Sequence, residues 1–437
     1  MATSIFREIL DRENNLCLGC TEPVMYAVGG AFARKYATGN LKRVTMVGNG
    51  LMVAGVQAVG IPNTGGKTGA FLATAVGFVN GDPEARKEVL HNVKPNDVAV
   101  AEELVKNCEF DIDIDNSTGR QVYLKMVVET DEQVATIIFE DEHTDPVYVD
   151  VDGKVIRDER KPLEKLPIPF DSVDWDVFTL EGIYEWCKTC DINELERAKE
   201  GIAVNRRLAQ DGIDNPRGIQ TARVLLDNVN SGFVAGDEIT HILVWATAGA
   251  DARMGGSDFP AMVSTGSGNQ GAMVIMGPAA SAEYRGDSEE DAIRAVAFAL
   301  LVNSYLKYHA REFWLMPPTC ACAGTSAQAS AAGVAFLHGL NPKQINDMLC
   351  TCLTHMAGVV CDGAKPSCAF RMFVSLFGCL QAMMMAEKGI RAGAEEGFVH
   401  ERADVTCDNI YRLQRDVLYN KVDPVVWSIF KDQKNIH

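Results

Sequence analysis

Three cysteines in the second half of the chain stand where helices are expected to begin or end. Cys320 precedes a run of small residues, Cys361 closes the helix expected from Pro342, and Cys368 opens the next one. Thiolates at a helix N-terminus are stabilised by free N–H groups and by the helix dipole, which also suits an anionic iron-sulfur cluster. The spacing alone is not a ferredoxin signature, and it agrees equally well with a metal site and with a set of buried packing thiols.

Several blocks of sequence, in order along most of the chain, resemble the L-cysteine desulfidase family. That family is related in its helical part to the iron-sulfur L-serine dehydratases. The blocks are Gly19-Cys-Thr-Glu-Pro23, Asp251-Ala-Arg-Met-Gly-Gly256 with Pro260-Ala-Met262, Gly266-Ser-Gly-Asn-Gln-Gly271, and Cys361-Asp-Gly-Ala364 with Ser367-Cys-Ala369. The resemblance implies a lyase that uses a 4Fe-4S cluster with one open iron and no pyridoxal phosphate. The implied reaction converts L-cysteine to pyruvate, ammonia and hydrogen sulfide.

The resemblance also implies the cluster ligands. Cys361 and Cys368 match two of them, and the third falls on Cys320 or Cys322, because this chain has two cysteines where the family pattern has one. Cys320 is preferred, since residues two apart do not share a helical face. Three protein ligands leave one iron free to act as a Lewis acid toward a thiolate or hydroxyl leaving group.

Elimination also needs a base for the α-proton. The resemblance assigns this role to Cys20, which stands just before a helix that Thr21 and Pro23 are expected to start. A thiol at a helix N-terminus more readily becomes the nucleophilic thiolate. Glu22 is the competing candidate.

The substrate carboxylate needs hydrogen-bond donors. The glycine-rich segment with Ser267, Gly268, Asn269 and Gln270 is predicted to offer backbone N–H groups, and Arg253 a bidentate contact. The alternative for Arg253 is a structural ion pair with an acid such as Asp251.

One loop departs from the family pattern. Desulfidases typically carry an Asn-Gly pair and then Pro-Gly-Thr-Gly, where this chain has Val53-Ala-Gly55 and Pro62-Asn63-Thr64-Gly65, followed by Lys67. Asn63, Thr64 and Lys67 are predicted to line the substrate pocket. L-serine or another β-substituted amino or hydroxy acid is therefore the alternative substrate, and Lys67 suits an additional anionic group. An iron-sulfur sensor without turnover and a cluster-free structural relative are alternatives outside this chemistry.

The elements that must position these residues predict an α+β protein. An N-terminal α/β portion contains an antiparallel meander over about 108–156, strands around glycines over 42–61 and a helix over 68–79. After a proline-containing connector at 160–174 the pattern is mostly helical, which gives a C-terminal cluster-binding domain. The expected division is 1–175, carrying the Gly19–Pro23 loop, and 176–437, carrying the substrate loop and the iron-sulfur cysteines.

Composition narrows the partners. The 437 residues carry a net charge of -18, which argues against a nucleic-acid or anionic-membrane surface and favours a small amino acid as partner. The apolar stretch 372–386 is too short to span a bilayer and is predicted to be a buried helix. Thirteen cysteines without a signal peptide predict reduced thiols in the cytoplasm. A homo-oligomer stays open.

Overall fold

The computed structural model describes residues 4–18, 21–120, 122–163, 173–309, 318–355, 357–394, 396–419 and 421–435. The helices in these ranges are α1 (Ile5–Glu13), α2 (Thr21–Tyr36), α3 (Gly50–Val56), α4 (Ala70–Asn80), α5 (Pro95–Asn107), α6 (Leu180–Thr189), α7 (Glu196–Asp214), α8 (Thr221–Asn230), α9 (Glu238–Met254), α10 (Gly268–Arg285), α11 (Glu289–His309), α12 (Ala327–Leu337), α13 (Pro342–His355), α14 (Cys368–Glu387), α15 (Ala403–Leu413) and α16 (Val422–Asn435). The strands are β1 (Leu16–Leu18), β2 (Leu41–Gly48), β3 (Glu109–Ile114), β4 (Tyr123–Thr130), β5 (Val134–Glu140), β6 (Tyr148–Val151), β7 (Lys154–Asp158) and β8 (Pro260–Met262). The α+β class is confirmed.

Six strands form one sheet in the order β3-β2-β4-β5-β6-β7. The four strands β4 to β7 are consecutive and antiparallel, which confirms the predicted meander over that part of the chain. The expectation that β3 belongs to the meander is wrong, because β3 lies parallel to β2 with Val44 opposite Phe110. Parallel neighbours need a long crossover, and here α3, α4 and α5 lie between the two strands in the chain.

The segment after β2 is a helix and not the predicted strand. β2 ends at Gly48 and α3 begins at Gly50. Met52, Val53 and Val56 follow a helical spacing and are all fully buried. The predicted helix over 68–79 is confirmed as α4.

Two large hydrophobic cores contain most of the buried apolar residues in the described ranges. One joins the sheet with α2 and α4, and the other joins the helices that follow residue 173. The first helix packs into the helical core, and the last helix packs into the core of the sheet. Phe6, Ile9 and Leu10 of α1 belong to the helical core, whereas Trp427 of α16 belongs to the sheet core and donates from Nε1 to Asp113 at 2.8 Å. The division near residue 175 stays a prediction.

Helix α14 is the predicted apolar helix. Its length and composition would be sufficient to cross a membrane, and it is the single such helix in the described part of the chain, a test that core helices also pass. One side is buried against α9 and α13, while Phe370, Val374 and Phe377 are exposed on the other. The expectation of a buried helix is therefore wrong for this outer face.

Candidate active site

A short backbone bridge brings Cys320 and Cys361 together. Cys320 N donates to Val359 O at 2.7 Å, and Cys361 N donates to Pro318 O at 3.0 Å. The loop before α12 and the loop after α13 are thus joined side by side. The expectation that Cys361 closes a helix is wrong, since α13 ends at His355 and Cys361 lies in the following loop.

Cys368 stands at the first position of α14, as predicted, and its N–H donates to Lys365 O at 2.9 Å. Two cations surround this loop. Arg371 contacts the Asp362 carboxylate at 2.8 Å and donates to Val360 O at 2.8 Å, and Lys365 pairs with the same carboxylate. The thiol-bearing loop is therefore tied down by positive side chains.

Four thiols influence one another electrostatically. A hydrogen bond donated by Cys322 lowers the pKa of the Cys320 thiol, and the same bond raises the pKa of Cys322. Burial raises the pKa of Cys361 to about 12, with the charge of Cys320 as the next cause. Burial and then the charge of Cys320 raise the pKa of Cys368. Cys320 is thus the thiol at which negative charge is best stabilised.

Cys320, Cys361 and Cys368 are soft donors of the kind that hold iron-sulfur clusters. Within the described ranges, no three His, Cys, Asp or Glu side chains form a group that would hold one metal ion. In a 4Fe-4S cluster each thiolate binds a separate iron, so its ligands stand further apart than those of one ion. Soft sulfur donors beside Arg371 and Lys365 match the chemistry of an anionic iron-sulfur centre.

Helix α3 connects the cysteine loop with Glu22. A Cβ atom at Gly363, where φ is +92°, would lie 2.8 Å from Ala54 O, and one at Gly55 would lie 3.1 Å from Glu22 Cγ. Ala54 of α3 therefore contacts the loop that bears Cys361, and the next residue, Gly55, contacts Glu22, the alternative base. Cys20 lies outside the described residues. Its described neighbours are Leu18, which pairs with Pro260, and the first turn of α2.

The residues predicted to bind the carboxylate meet at the N-terminus of α10. Arg253 is buried at the end of α9 and donates to Asn269 Oδ1 at 3.3 Å. A Cβ atom at Gly268 would lie 2.3 Å from Arg253 Nε, so a side chain there would displace the guanidinium. Asp251, the alternative partner of Arg253, instead accepts a hydrogen bond from Ala222 N at 3.0 Å at the start of α8.

Gln270 connects the N-terminus of α10 to the turn that begins at Cys322. Its Oε1 atom lies 3.1 Å from Thr265 Oγ1 and 3.0 Å from Ser326 Oγ. Ser326 ends a π-helical turn, Cys322–Ser326, that precedes α12, and such turns are frequent at functional sites. Ser267 closes a tight turn on Ser264, with 3.1 Å backbone contacts in both directions.

The loop that departs from the family pattern lies against the end of α9. Gly60 N donates to Met254 O at 3.1 Å. The residues predicted to line the pocket contact the part of the chain that contains the six-stranded sheet, here called the sheet unit. Asn63 donates to Leu90 O at 2.9 Å, Thr64 donates to Ile61 O at 2.7 Å, and Lys67 donates to Glu102 at 2.5 Å. Their role toward a substrate stays a prediction.

Sequence reasoning missed Lys307 and Arg371. Lys307 lies on α11 with 1% of its surface exposed, and burial lowers its pKa to about 8. The available signal was a lysine within the apolar run of α11, four residues after Asn303. Arg371 carried no signal, because arginine one turn into a helix is ordinary.

Comparisons with known proteins cover nearly the whole chain. The family described as "Serine dehydratase alpha chain" matches residues 87–422. A UPF0597 protein of Shewanella pealeana is 31% identical over 423 residues, covering 94% of this chain and 94% of the relative. A UPF0597 protein of Clostridium botulinum is 31% identical over 426 residues, covering 97% and 95%. A third, from Dichelobacter nodosus, is 29% identical over 424 residues, covering 96% and 95%.

Proposed function

The chain belongs to the serine dehydratase alpha chain family, as its sequence blocks predicted, and we propose that it is a 4Fe-4S-dependent lyase acting on a small amino acid. Family membership itself indicates a lyase-type enzyme. The proposed reaction is β-elimination from L-cysteine, giving pyruvate, ammonia and hydrogen sulfide. The observation that carries the proposal is the convergence of Cys320, Cys361 and Cys368 beside the helix that contacts Glu22.

Cys320, Cys361 and Cys368 would hold the cluster. Cys322 is the donor that stabilises the Cys320 thiolate, which favours Cys320 over Cys322 as the third ligand. Arg371 offsets the negative charge of the thiolates. When bound, the cluster supplies an iron without a protein ligand, a Lewis acid for the leaving group.

The base removes the α-proton while the bond between Cβ and sulfur breaks. Cys20 is the proposed base, and Glu22 is the alternative. The electron pair of the Cα–H bond becomes the new double bond, and the pair of the broken C–S bond leaves with sulfide. The released aminoacrylate takes up water and becomes pyruvate and ammonia, so one cysteine and one water account for all products.

The α10 end of the site would orient the substrate. Arg253, held by Asn269 and by the absence of a side chain at Gly268, is placed to bind the carboxylate. The backbone at Ser267 and Gln270 would add N–H donors. Asn63, Thr64 and Lys67 would border the pocket from the sheet unit.

The test is anaerobic reconstitution followed by a substrate screen. Iron and acid-labile sulfide are measured first, and keto-acid and sulfide release are then measured with cysteine, serine, threonine and related β-substituted acids. We expect a full cluster and release of pyruvate with sulfide from cysteine. Fewer than about three irons per chain after reconstitution would refute the cluster. A full cluster without any keto acid would refute the lyase and favour a sensor.

L-serine is the second candidate substrate. The family is described as a serine dehydratase chain, and the loop at Asn63 departs from the desulfidase pattern. A thiolate is the better leaving group on a soft metal, so cysteine is preferred. A kcat/KM for serine above that for cysteine would reverse this assignment.

The proposed setting follows from the chemistry. Free thiols and an oxygen-sensitive centre require a reducing compartment, which we take to be the cytoplasm. The proposed partner is the amino acid itself, without nucleic acid or membrane, and a homo-oligomer is compatible with this arrangement.

A further inference from the structure

Lys307 is a buried charge that the proposed mechanism does not use. Its side chain is 1% exposed, and within the described ranges Nζ has no hydrogen-bond partner. Removing an ammonium from water without pairing it is strongly unfavourable for the folded state. Such a group therefore calls for a functional explanation.

The packing of α11 places Lys307 beside the cysteines. Asn303 Oδ1 on α11 lies 3.1 Å from Ser326 Oγ, at the end of the π-helical turn that leads into α12. Lys307 is four residues further along α11, and Cys322 is four residues back from Ser326. Residues four apart share a helical face, so the two side chains belong to the same contact surface.

The charges around Lys307 agree with this placement. Its amine is influenced by Cys322, Glu13, Cys407 and Cys320. Glu13 already accepts hydrogen bonds from Tyr308 at 2.7 Å and Arg12 at 3.0 Å. Cys407 donates to Leu306 O at 3.3 Å. Of the charges that act on the amine, Cys322 has the largest effect, ahead of Glu13 and Cys407, and Cys320 lies beside it.

We infer that Lys307 is the fixed counter-charge of the iron-sulfur centre, a positioning residue whose ammonium stabilises the thiolate-bound cluster. The inference rests on the proposed function. A 4Fe-4S centre with core charge +2 and three thiolates has a net charge of about -1, and one added electron makes it about -2. A positive charge in a poorly solvated environment favours both the bound and the reduced forms.

Lys307→Met distinguishes this role from a structural one, because the two roles predict opposite changes in the stability of the cluster-free protein. Methionine keeps a similar length without the charge. If Lys307 serves the cluster, the cluster-free variant should unfold at a higher temperature than the cluster-free wild type. The loaded variant should have at least a tenfold less favourable one-electron reduction, which is a midpoint potential lower by about 59 mV.

Two further variants serve as controls. Ser304→Ala alters another buried side chain of α11, which bonds within the helix to Leu300 O at 3.2 Å, and should leave the potential unchanged. Lys307→Arg retains the charge, so its midpoint potential should lie close to that of the wild type. Potentials are measured by anaerobic titration followed by electron paramagnetic resonance.

Each outcome decides the inference. A cluster-free Lys307→Met that is destabilised or does not fold makes Lys307 a structural residue and overturns it. An unchanged potential in the loaded variant also overturns it and leaves the lyase proposal intact. A wild-type chain that binds no iron refutes the proposed function, and this inference with it.

Discussion

Cys361 and Cys368 stand beside cationic side chains, whereas Cys350 is fully buried between helices and accepts a hydrogen bond from Thr406 at 3.8 Å. We therefore expect Cys361→Ala and Cys368→Ala to abolish the visible cluster absorption and to lower the iron content more than about tenfold. Cys350→Ala is the matched control and should retain the cluster. Equal iron loss in all three variants would show that buried cysteines act through packing and would refute the ligand assignment.

Substitution of Cys20 is expected to have a different effect from substitution of the proposed ligands. Cys20→Ala should keep the cluster absorption and lose about 10²- to 10⁴-fold in kcat, because a positioned base contributes that much to a proton transfer. Glu22→Gln should lose less. Absorption spectra and keto-acid release are measured on the same preparations. Loss of the cluster in Cys20→Ala would make Cys20 a ligand and leave Glu22 as the base.

Asp251 gives the molecule a stability that depends on pH. Burial raises the pKa of its carboxyl group to about 6, well above the ordinary value for aspartate. A carboxyl group with a raised folded-state pKa favours the folded state while protonated, and this contribution is lost as the pH rises through about 6. Asp251→Asn cannot ionise. Its stability relative to wild type should therefore rise by about 2 kcal/mol between pH 4 and pH 7. Urea unfolding of the cluster-free proteins measures this, and a constant difference would contradict it.

The loop that carries Cys361 is held by an element of the sheet unit. Gly363 has φ +92° and packs against Ala54 of α3, whereas Gly389 has φ +72° and open space within 4 Å of where a Cβ atom would lie. Gly363→Ala should therefore cost about 1–3 kcal/mol of stability and reduce cluster retention. Gly389→Ala shares the strained φ without the clash, so it should cost less and keep the iron. Equal effects on iron content would show that the contact with α3 does not position the loop.

Some elements were predictable and others were not. The meander from β4 to β7 and helices α4 and α14 follow from alternation, periodicity and the position of Cys368 after a proline-containing turn. The sequence predicts a strand where α3 lies, because a short apolar run that is buried on several sides has no informative period. The π-helical turn at Cys322 and the neighbourhood of Lys307 depend on how two helices pack, which no local pattern encodes.

In the whole molecule, segments that are far apart in the sequence pack into the same core. α1 belongs to the helical core and α16 to the sheet core, so the two ends of the chain link both parts. The candidate site lies where these two parts of the chain meet. Val59 and Met254 are buried together, and Ala364 and Cys368 pack against them. The family blocks predict which residues form the candidate site, but the place where those residues meet depends on contacts between distant segments.

The two parts of the chain also meet at a close contact between glycines. A Cβ atom at Gly60 would lie 2.6 Å from Gly256 N and 2.7 Å from its Cα, so even alanine would push the sheet unit away from the end of α9. The three cysteines proposed as ligands lie in the helical part, while Glu22 lies in the part that contains the six-stranded sheet. Gly60→Ala should therefore retain the cluster absorption and lose more than about tenfold in kcat/KM, because a small misplacement of a catalytic group is costly. Gly65→Ala is the control. Gly65 lies in the same loop with φ +73°, and a Cβ atom added there would have no neighbour within 4 Å, so kcat/KM should stay within about threefold of the wild-type value. Full activity in Gly60→Ala would show that the chemistry lies entirely within the helical part.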